Sequence, residues 1–242
     1  MKEKAKMVFA GIGIYLFGAI LAIVFFIMQL LKQIKIVHPE RFPHYKCGKI
    51  FVANHPSVID PWIVAVLFAK AYLKNPFKYA PMIVADANNF CKSKYWSWMC
   101  PIMISVNRDN KHSAGFCFRK MQDALSKGRN IIIFPEGGRT FRGTDFLISH
   151  TGKKIRILSG GTALLVKKTR SKLVPIWIEG TDEFCPNSEK KLFTHFVFGK
   201  KITIKTGEIL DFGGPKLMEI ESREEIIQII GNALLSLADE KQ

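Results

Sequence analysis

Acidic residues are scarce in this chain. Its 242 residues include 20 Asp and Glu against 36 Lys and Arg, a net charge of +16. So large an imbalance calls for an anionic partner, either nucleic acid or an anionic lipid surface. Signatures of nucleic-acid binding are missing: there is no helix-turn-helix pattern, zinc-ligand spacing or aromatic RNP-type strand, which favours the lipid surface. Cysteine is sparse too. Cys47, Cys91, Cys100, Cys117 and Cys185 form no C-x-x-C pair, and their odd number reads as reduced, mostly core thiols facing the cytoplasm. Without H-E-x-x-H or structural-zinc spacing, no metal site is expected. The G-x-S-x-G elbow of a serine hydrolase is also missing. In the absence of a low-complexity linker or an internal repeat, the chain reads as one domain with appendages.

What is present begins with a run from Met7 to Leu31 that carries no charged side chain. As a helix it would measure about 37 Å, against about 30 Å for a hydrocarbon core. It is too long for a signal peptide and lacks a clear A-x-A cleavage site. Lys2, Lys4 and Lys6 precede it, while Lys32, Lys35, Arg41, Lys46 and Lys49 follow. The heavier positive charge on the C-terminal side places the main domain on the cytoplasmic face of the cell membrane. Gly11, Gly13 and Gly18 leave a second arrangement open, a bent helix embedded in one leaflet. Residues 1–36 are therefore read as a membrane-anchoring helix and residues 37–242 as the soluble domain.

Within that domain, His38 to Lys46 is a connector punctuated by Pro39 and Pro43. Strands are expected at 49–53, 79–84, 102–106, 130–134, 173–178 and 202–205, several of them β-branched runs suited to interior parallel strands. Helices are expected at 58–72, through Tyr95 to Trp98, at 113–126 before the Lys127-Gly128 stop, and at 222–237. Strands alternating with helices imply an α/β fold, a largely parallel sheet flanked by helices.

Two segments carry candidate chemistry. Asn54-His55-Pro56-Ser57-Val58-Ile59-Asp60 follows the first strand, where open α/β sheets place their sites. On one continuous helix, positions five apart diverge by about 140°, so His55 and Asp60 meet only across a turn, which Pro56 supplies. A carboxylate on one ring nitrogen fixes the tautomer and raises the basicity of the other. Asp60-Pro61 is equally good helix-start chemistry, and Ser57-x-x-Asp60 resembles a capping box, so spacing alone leaves base and cap level. Ser57 is read as a cap rather than a nucleophile. Phe134-Pro-Glu136-Gly137-Gly138-Arg139-Thr140 follows a second strand. Its glycines admit backbone amides close to an anion, and arginine offers a planar fork to phosphate oxygens. Arg108 follows another parallel strand, so Arg108 and Arg139 at one sheet edge can converge on one phosphate. Arg142 is a third contributor of lower weight. Trp96, Trp98, Phe90, Met99 and Met103 read as core or interfacial anchors, some able to line an acyl groove. Lys153-Lys154-Ile-Arg156 and Lys167-Lys168-Thr-Arg170 read as solvated faces able to attract lipid headgroups.

In order and spacing these pieces resemble the glycerolipid acyltransferases, in particular the 1-acylglycerol-3-phosphate acyltransferases. Asn54-His55-x4-Asp60 looks like the family's first motif and Ile104-Ser-Val-Asn-Arg108 like its second. Phe134-Pro-Glu-Gly-Gly-Arg139-Thr resembles the third, and Val174-Pro-Ile-Trp-Ile-Glu179-Gly180 the fourth, which packs the sheet near the site. The likeness covers about Cys47 to Phe212. It implies a membrane-bound enzyme that transfers a fatty acyl group from a thioester of acyl carrier protein or coenzyme A to lysophosphatidate. By the same resemblance His55 is the general base, Asp60 orients it, and Arg108, Arg139, Gly137 and Gly138 hold the acceptor phosphate. Glu136 helps to position the glycerol portion. No cofactor or metal is implied, and the partners are the bilayer, the lysophospholipid and the thioester carrier. The chain departs from the pattern in four places. Val84-Ala85-Asp86-Ala87 stands where many relatives have a lysine that would stabilise an oxyanion. Lys92, Lys94, a backbone amide or the helix start after His55 are substitutes for it. Pro101 replaces a common glycine, Gly138 a usual threonine, and the stretch from Arg142 to Gly160 is longer than common.

Overall fold

Short β-branched runs become the strands of one main sheet and of a separate two-stranded hairpin. The computed structural model describes residues 2–45, 48–87, 91, 97–107, 111–187 and 195–241. The strands are β1 (Ile34–Val37), β2 (Ile50–Ala53), β3 (Met82–Asp86), β4 (Met103–Val106), β5 (Ile131–Ile133), β6 (Phe146–Ile148), β7 (Lys154–Arg156), β8 (Lys172–Glu179), β9 (Ile202–Thr206) and β10 (Leu210–Asp211). The helices are α1 (Lys2–Leu30), α2 (Asp60–Val66), α3 (Ala69–Lys74), α4 (Pro76–Tyr79), α5 (Lys111–Ser126), α6 (Gly160–Thr169), α7 (Thr181–Phe184) and α8 (Arg223–Asp239).

The main sheet runs β1-β9-β8-β2-β5-β3-β4, with β10 paired to β8. Strands β8, β2, β5, β3 and β4 are mutually parallel, while β9 lies antiparallel to β8 and carries β1 parallel to itself. Alternation along β2 divides the core. Phe51 and Ala53 face a cluster with Trp62, Val64 and Phe68 of the α2–α3 layer. Ile50 and Val52 face a second cluster with Leu125, Leu165, Ile230 and Leu234 of α5, α6 and α8. A sheet buried on both faces explains the continuous isoleucines of β5. The fold is thus the α/β layer expected from the sequence.

Helix α1 lies against this domain along one stripe. Ile14, Phe17, Leu21, Phe25 and Met28 face inward at helical spacing. The Tyr72 hydroxyl donates to the Ile14 carbonyl at 2.9 Å, and the Phe17 ring meets Trp62 and Trp98 edge-on. The other faces remain apolar and exposed at Ile12, Leu16, Ile20, Ile23, Phe26, Ile27 and Leu30. Trp98, Met99 and Met103 are core or docking groups, as expected, while Phe90, Tyr95 and Trp96 lie outside the described residues.

Several expectations change. Strand β1 was not foreseen, because its register is supplied by β9; the boundary at 36/37 falls inside it. The helix expected over 58–72 breaks at Leu67–Phe68 into α2 and α3, and the segment containing Trp98 forms a 3-10 turn, Ser97–Ile102. The long stretch after Arg142 builds the β6–β7 hairpin. The cysteines are not all reduced thiols: Cys91 and Cys100 are joined in a disulfide, their Cα atoms 5.5 Å apart across that turn. Cys117 and Cys185 are free and buried, and burial pushes the Cys117 thiol up to about 11. Cys47 lies outside the described residues.

Candidate active site

The parallel strands β2, β5 and β8 end side by side, and the loops leaving them interlock. Asn54 seals β2 to β8: its side-chain amide donates to the Ile178 carbonyl at 2.8 Å and accepts from the Ile178 amide at 2.7 Å. His55 follows directly. Its Nδ1 lies 2.8 Å from Asp60 Oδ2 across the turn that Pro56 opens. The Ser57 amide donates to the same oxygen at 2.7 Å, and the Thr181 hydroxyl, at the start of α7, donates to Asp60 Oδ1 at 2.6 Å. Burial pushes the Asp60 carboxyl above its ordinary range, while the hydrogen bonds from His55, Thr181 and Ser57 pull it back down. With Nδ1 committed to Asp60, Nε2 is the ring nitrogen left for a reacting group.

Glu136 fixes the histidine from behind. Its Oε1 accepts the His55 amide at 2.7 Å and the Thr140 hydroxyl at 2.8 Å, and its Oε2 accepts the Arg156 amide at 2.8 Å. The Thr140 amide in turn donates to the His55 carbonyl at 2.7 Å. Burial pushes the Glu136 carboxyl up against these three bonds. The Phe134 ring lies over His55, centroids 4.4 Å apart. Both peptide groups of His55 are thereby pinned to the loop after β5.

His55 opens onto a cavity of about 860 Å³. One part of its wall is apolar, with Val58, Val84, Val106, Phe118, Met121 and Leu164. The other part carries Gly137, Gly138, Arg139, Arg142 and Arg156, with Asp86 also on the wall. Gly137 has φ +66, a conformation that favours glycine. Arg139 Nη1 donates to Asn187 Oδ1 at 2.8 Å, and Asn187 donates to the Pro56 carbonyl at 2.8 Å. Burial and the neighbouring Arg142 lower the Arg139 pKa, although a guanidinium stays charged at any working pH. An imidazole–carboxylate pair beside a half-apolar, half-cationic cavity can deprotonate a hydroxyl on an amphiphilic anion.

The family model described as Acyltransferase matches residues 33–179, from the turn before β1 to the end of β8. The chain belongs to the acyltransferase family. It is similar to a 1-acyl-sn-glycerol-3-phosphate acyltransferase of Chlamydomonas reinhardtii, at 24% identity over 65% of this chain and 42% of the relative. It is likewise similar to one of Borreliella burgdorferi, at 26% identity over 63% of this chain and 53% of the relative. The chain thus spans about half, or less, of the length of these curated relatives. Among solved structures it resembles the 1-acyl-sn-glycerophosphate acyltransferase PlsC of Thermotoga maritima, with a TM-score of 0.62 at 20% identity, over 100% of this chain and 84% of that one. That likeness concerns the fold.

In this family member, His55 and Asp60 meet as their spacing requires, and Gly137, Gly138 and Arg139 reach the same cavity. Arg108, Lys92 and Lys94 lie outside the described residues. Glu136, expected to help position the glycerol portion, bonds the His55 and Arg156 amides and the Thr140 hydroxyl, and so holds His55. Ser57 is not a helix cap either. Its hydroxyl donates to the Cys185 carbonyl at 2.7 Å, while Asp60 reaches back to its amide. Glu179 points away from the site toward Trp177 and Lys153. Two residues escaped the sequence reading. Thr181, the polar residue just after Glu179-Gly180, was legible as such. Arg156, expected on a solvated face, lines the cavity instead; its signal in the sequence is Gly138, smaller than the usual threonine.

Proposed function

We propose that this acyltransferase moves a fatty acyl group from a thioester to the free hydroxyl of 1-acylglycerol 3-phosphate, giving phosphatidate. The observation that carries this reading is the 2.8 Å contact of His55 Nδ1 with Asp60 Oδ2 on the wall of an arginine-bearing cavity. In the reaction, His55 Nε2 takes the proton of the acceptor hydroxyl as its oxygen attacks the thioester carbonyl. The carbon–sulfur bond then breaks, and the imidazolium returns the proton to the departing thiolate. Asp60 stabilises the imidazolium in between, and general-base assistance of this kind is worth about 10²–10⁴ in rate. Arg139, the amides of Gly137 and Gly138, and Arg108 hold the phosphate, while the apolar wall takes acyl chain. The thioester is already activated, so the reading calls for no cofactor beyond acyl-CoA or acyl carrier protein as co-substrate.

The known relatives, both 1-acyl-sn-glycerol-3-phosphate acyltransferases, support this acceptor, and the arginines favour a phosphate-bearing one over a lyso-aminolipid. Glycerol 3-phosphate and other lysophospholipids are the nearest alternatives. Hydrolysis through Ser57 is disfavoured, because the residue is fully buried with its hydroxyl on the Cys185 carbonyl. The membrane reading rests on α1, whose Ile12–Leu30 segment has a mean hydropathy of 2.4 and is apolar on its exposed faces. We place the site on the cytoplasmic face by the charge asymmetry around that helix. The test is a radiolabelled acyl-transfer assay crossing lysophosphatidate, glycerol 3-phosphate and other lysolipids with acyl-CoA and acyl carrier protein thioesters. Labelled phosphatidate from lysophosphatidate is expected. Transfer to another lysolipid with lysophosphatidate inert would overturn the choice of acceptor, and full activity in H55A would overturn the mechanism.

A further inference from the structure

We propose that Arg156, delivered by the β6–β7 hairpin, makes the acceptor site selective for a phosphate monoester over a phosphodiester headgroup. The inference rests on the acyl-transfer reading and adds a residue and a substrate class to it. Arg156 is held close to the base: its amide donates to Glu136 Oε2 at 2.8 Å, and Glu136 Oε1 accepts the His55 amide at 2.7 Å. Its side chain occupies space that two glycines leave free. A Cβ on Gly138 would lie 2.5 Å from Arg156 Nη1, and one on Gly143 2.3 Å from its Nε. Neither glycine has a positive φ, unlike Gly137. The backbone therefore does not demand glycine at 138 or 143; a Cβ at 143 would meet the Nε, Cδ and Cγ of Arg156, whereas one at 138 would meet only the movable tip of that side chain.

The charge of Arg156 is also left uncompensated. Several basic groups nearby have carboxylates, with Lys153 on Glu179, Lys167 and Arg170 on Glu221 and Lys172 on Asp211, while Lys154 lies over the Phe146 ring outside the cavity wall. Arg156 has no carboxylate partner among the described residues, yet it lines the cavity beside Arg139 and Arg142. Arg156 on the same wall as Arg139 gives guanidinium donors suited to a dianion. A phosphate monoester carries a charge near −2 at neutral pH and three terminal oxygens for guanidinium forks. A phosphodiester carries one charge and two such oxygens.

The test uses the full chain with wild type, R156Q, R156K and G143A. Steady-state rates are measured on lysophosphatidate, lysophosphatidylglycerol and monoacylglycerol with a common thioester. R156Q is expected to lower kcat/KM for lysophosphatidate by about 10-fold or more, through the acceptor KM and not the thioester KM. The preference over lysophosphatidylglycerol should collapse with it. R156K should keep part of the preference, and G143A, which must displace the side chain, should resemble R156Q. Equal losses on all three acceptors, or a wild type without preference for the monoester, would overturn the proposal. A second readout is independent of turnover: glycerol 3-phosphate should raise the melting temperature of wild type but not of R156Q, and equal shifts would overturn the proposal. If wild type acylates none of the three acceptors, the acyl-transfer reading fails while the melting comparison still decides the anion site.

Discussion

His55 forms the floor of the cavity, and behind it both oxygens of Asp60 and both of Glu136 are taken by protein donors. On its rim, Arg156 holds a guanidinium over two glycines without a carboxylate. The contrast follows from what each part must do. A base is effective when its orientation is set before substrate arrives, because no reorganisation is then left for the reaction itself. A cation that waits for an anionic ligand must instead keep its donors free. Floor residues should therefore govern turnover and stability together, whereas rim residues should govern acceptor affinity.

The largest test of that division is at the floor. H55A is expected to lower kcat by about 10²–10⁴ while the fold persists, measured by acyl transfer and by thermal melting. The Asp60 variants sharpen it. D60N keeps an oxygen for the His55 and Ser57 donors but removes the charge that stabilises the imidazolium, so turnover should fall by about 10²-fold with a modest change in melting. D60A strands three donors and should in addition cost about 2–4 kcal/mol of stability by denaturant titration. A stable, fully active D60A would break the comparison.

A smaller effect is expected at Glu136. E136Q turns an amide toward a backbone donor, loosens His55 and should lower kcat by about 10-fold with little change in acceptor KM. Its pH dependence has a definite sign. Burial raises the folded-state pKa of Glu136 above the unfolded value, so the folded wild type binds more protons between those two values. Wild-type stability therefore gains as pH falls through the folded pKa toward the unfolded one, a gain E136Q lacks. The melting gap between the two should widen in favour of wild type as pH falls from neutral toward that range; a gap that narrows would contradict the assignment. The smallest effect is expected for S57A. Losing the bond to the Cys185 carbonyl should cost about 1 kcal/mol of stability, with turnover within about threefold of wild type. Loss of turnover together with a trappable acyl-enzyme would revive the hydrolase reading.

Much of the floor was legible in the sequence. The His55-x4-Asp60 spacing with Pro56 between them already required a turn, and the buried strand before it placed the pair at a sheet edge. The isoleucines of β5 marked an interior strand before the glycine loop. Other features were not legible. Strand β1 is four residues long and depends on β9, almost 170 residues later. The bond from Thr181 to Asp60 spans 121 residues of sequence. The partners of Glu136 and Ser57 were not legible for the same reason: Arg156 and Cys185 are remote in sequence.

The sequence by itself determined the α/β layering, the apolar N-terminal helix, the surplus of positive charge and the two loops that carry the chemistry. These depend on local periodicity, composition and turn chemistry, which act over a few neighbouring residues. Only the tertiary structure decided which carboxylate serves the base and which merely clamps it, and which of the many basic residues enters the cavity. Those outcomes depend on distances between segments far apart in the chain, and a side chain's burial and partners do not exist until the segments pack.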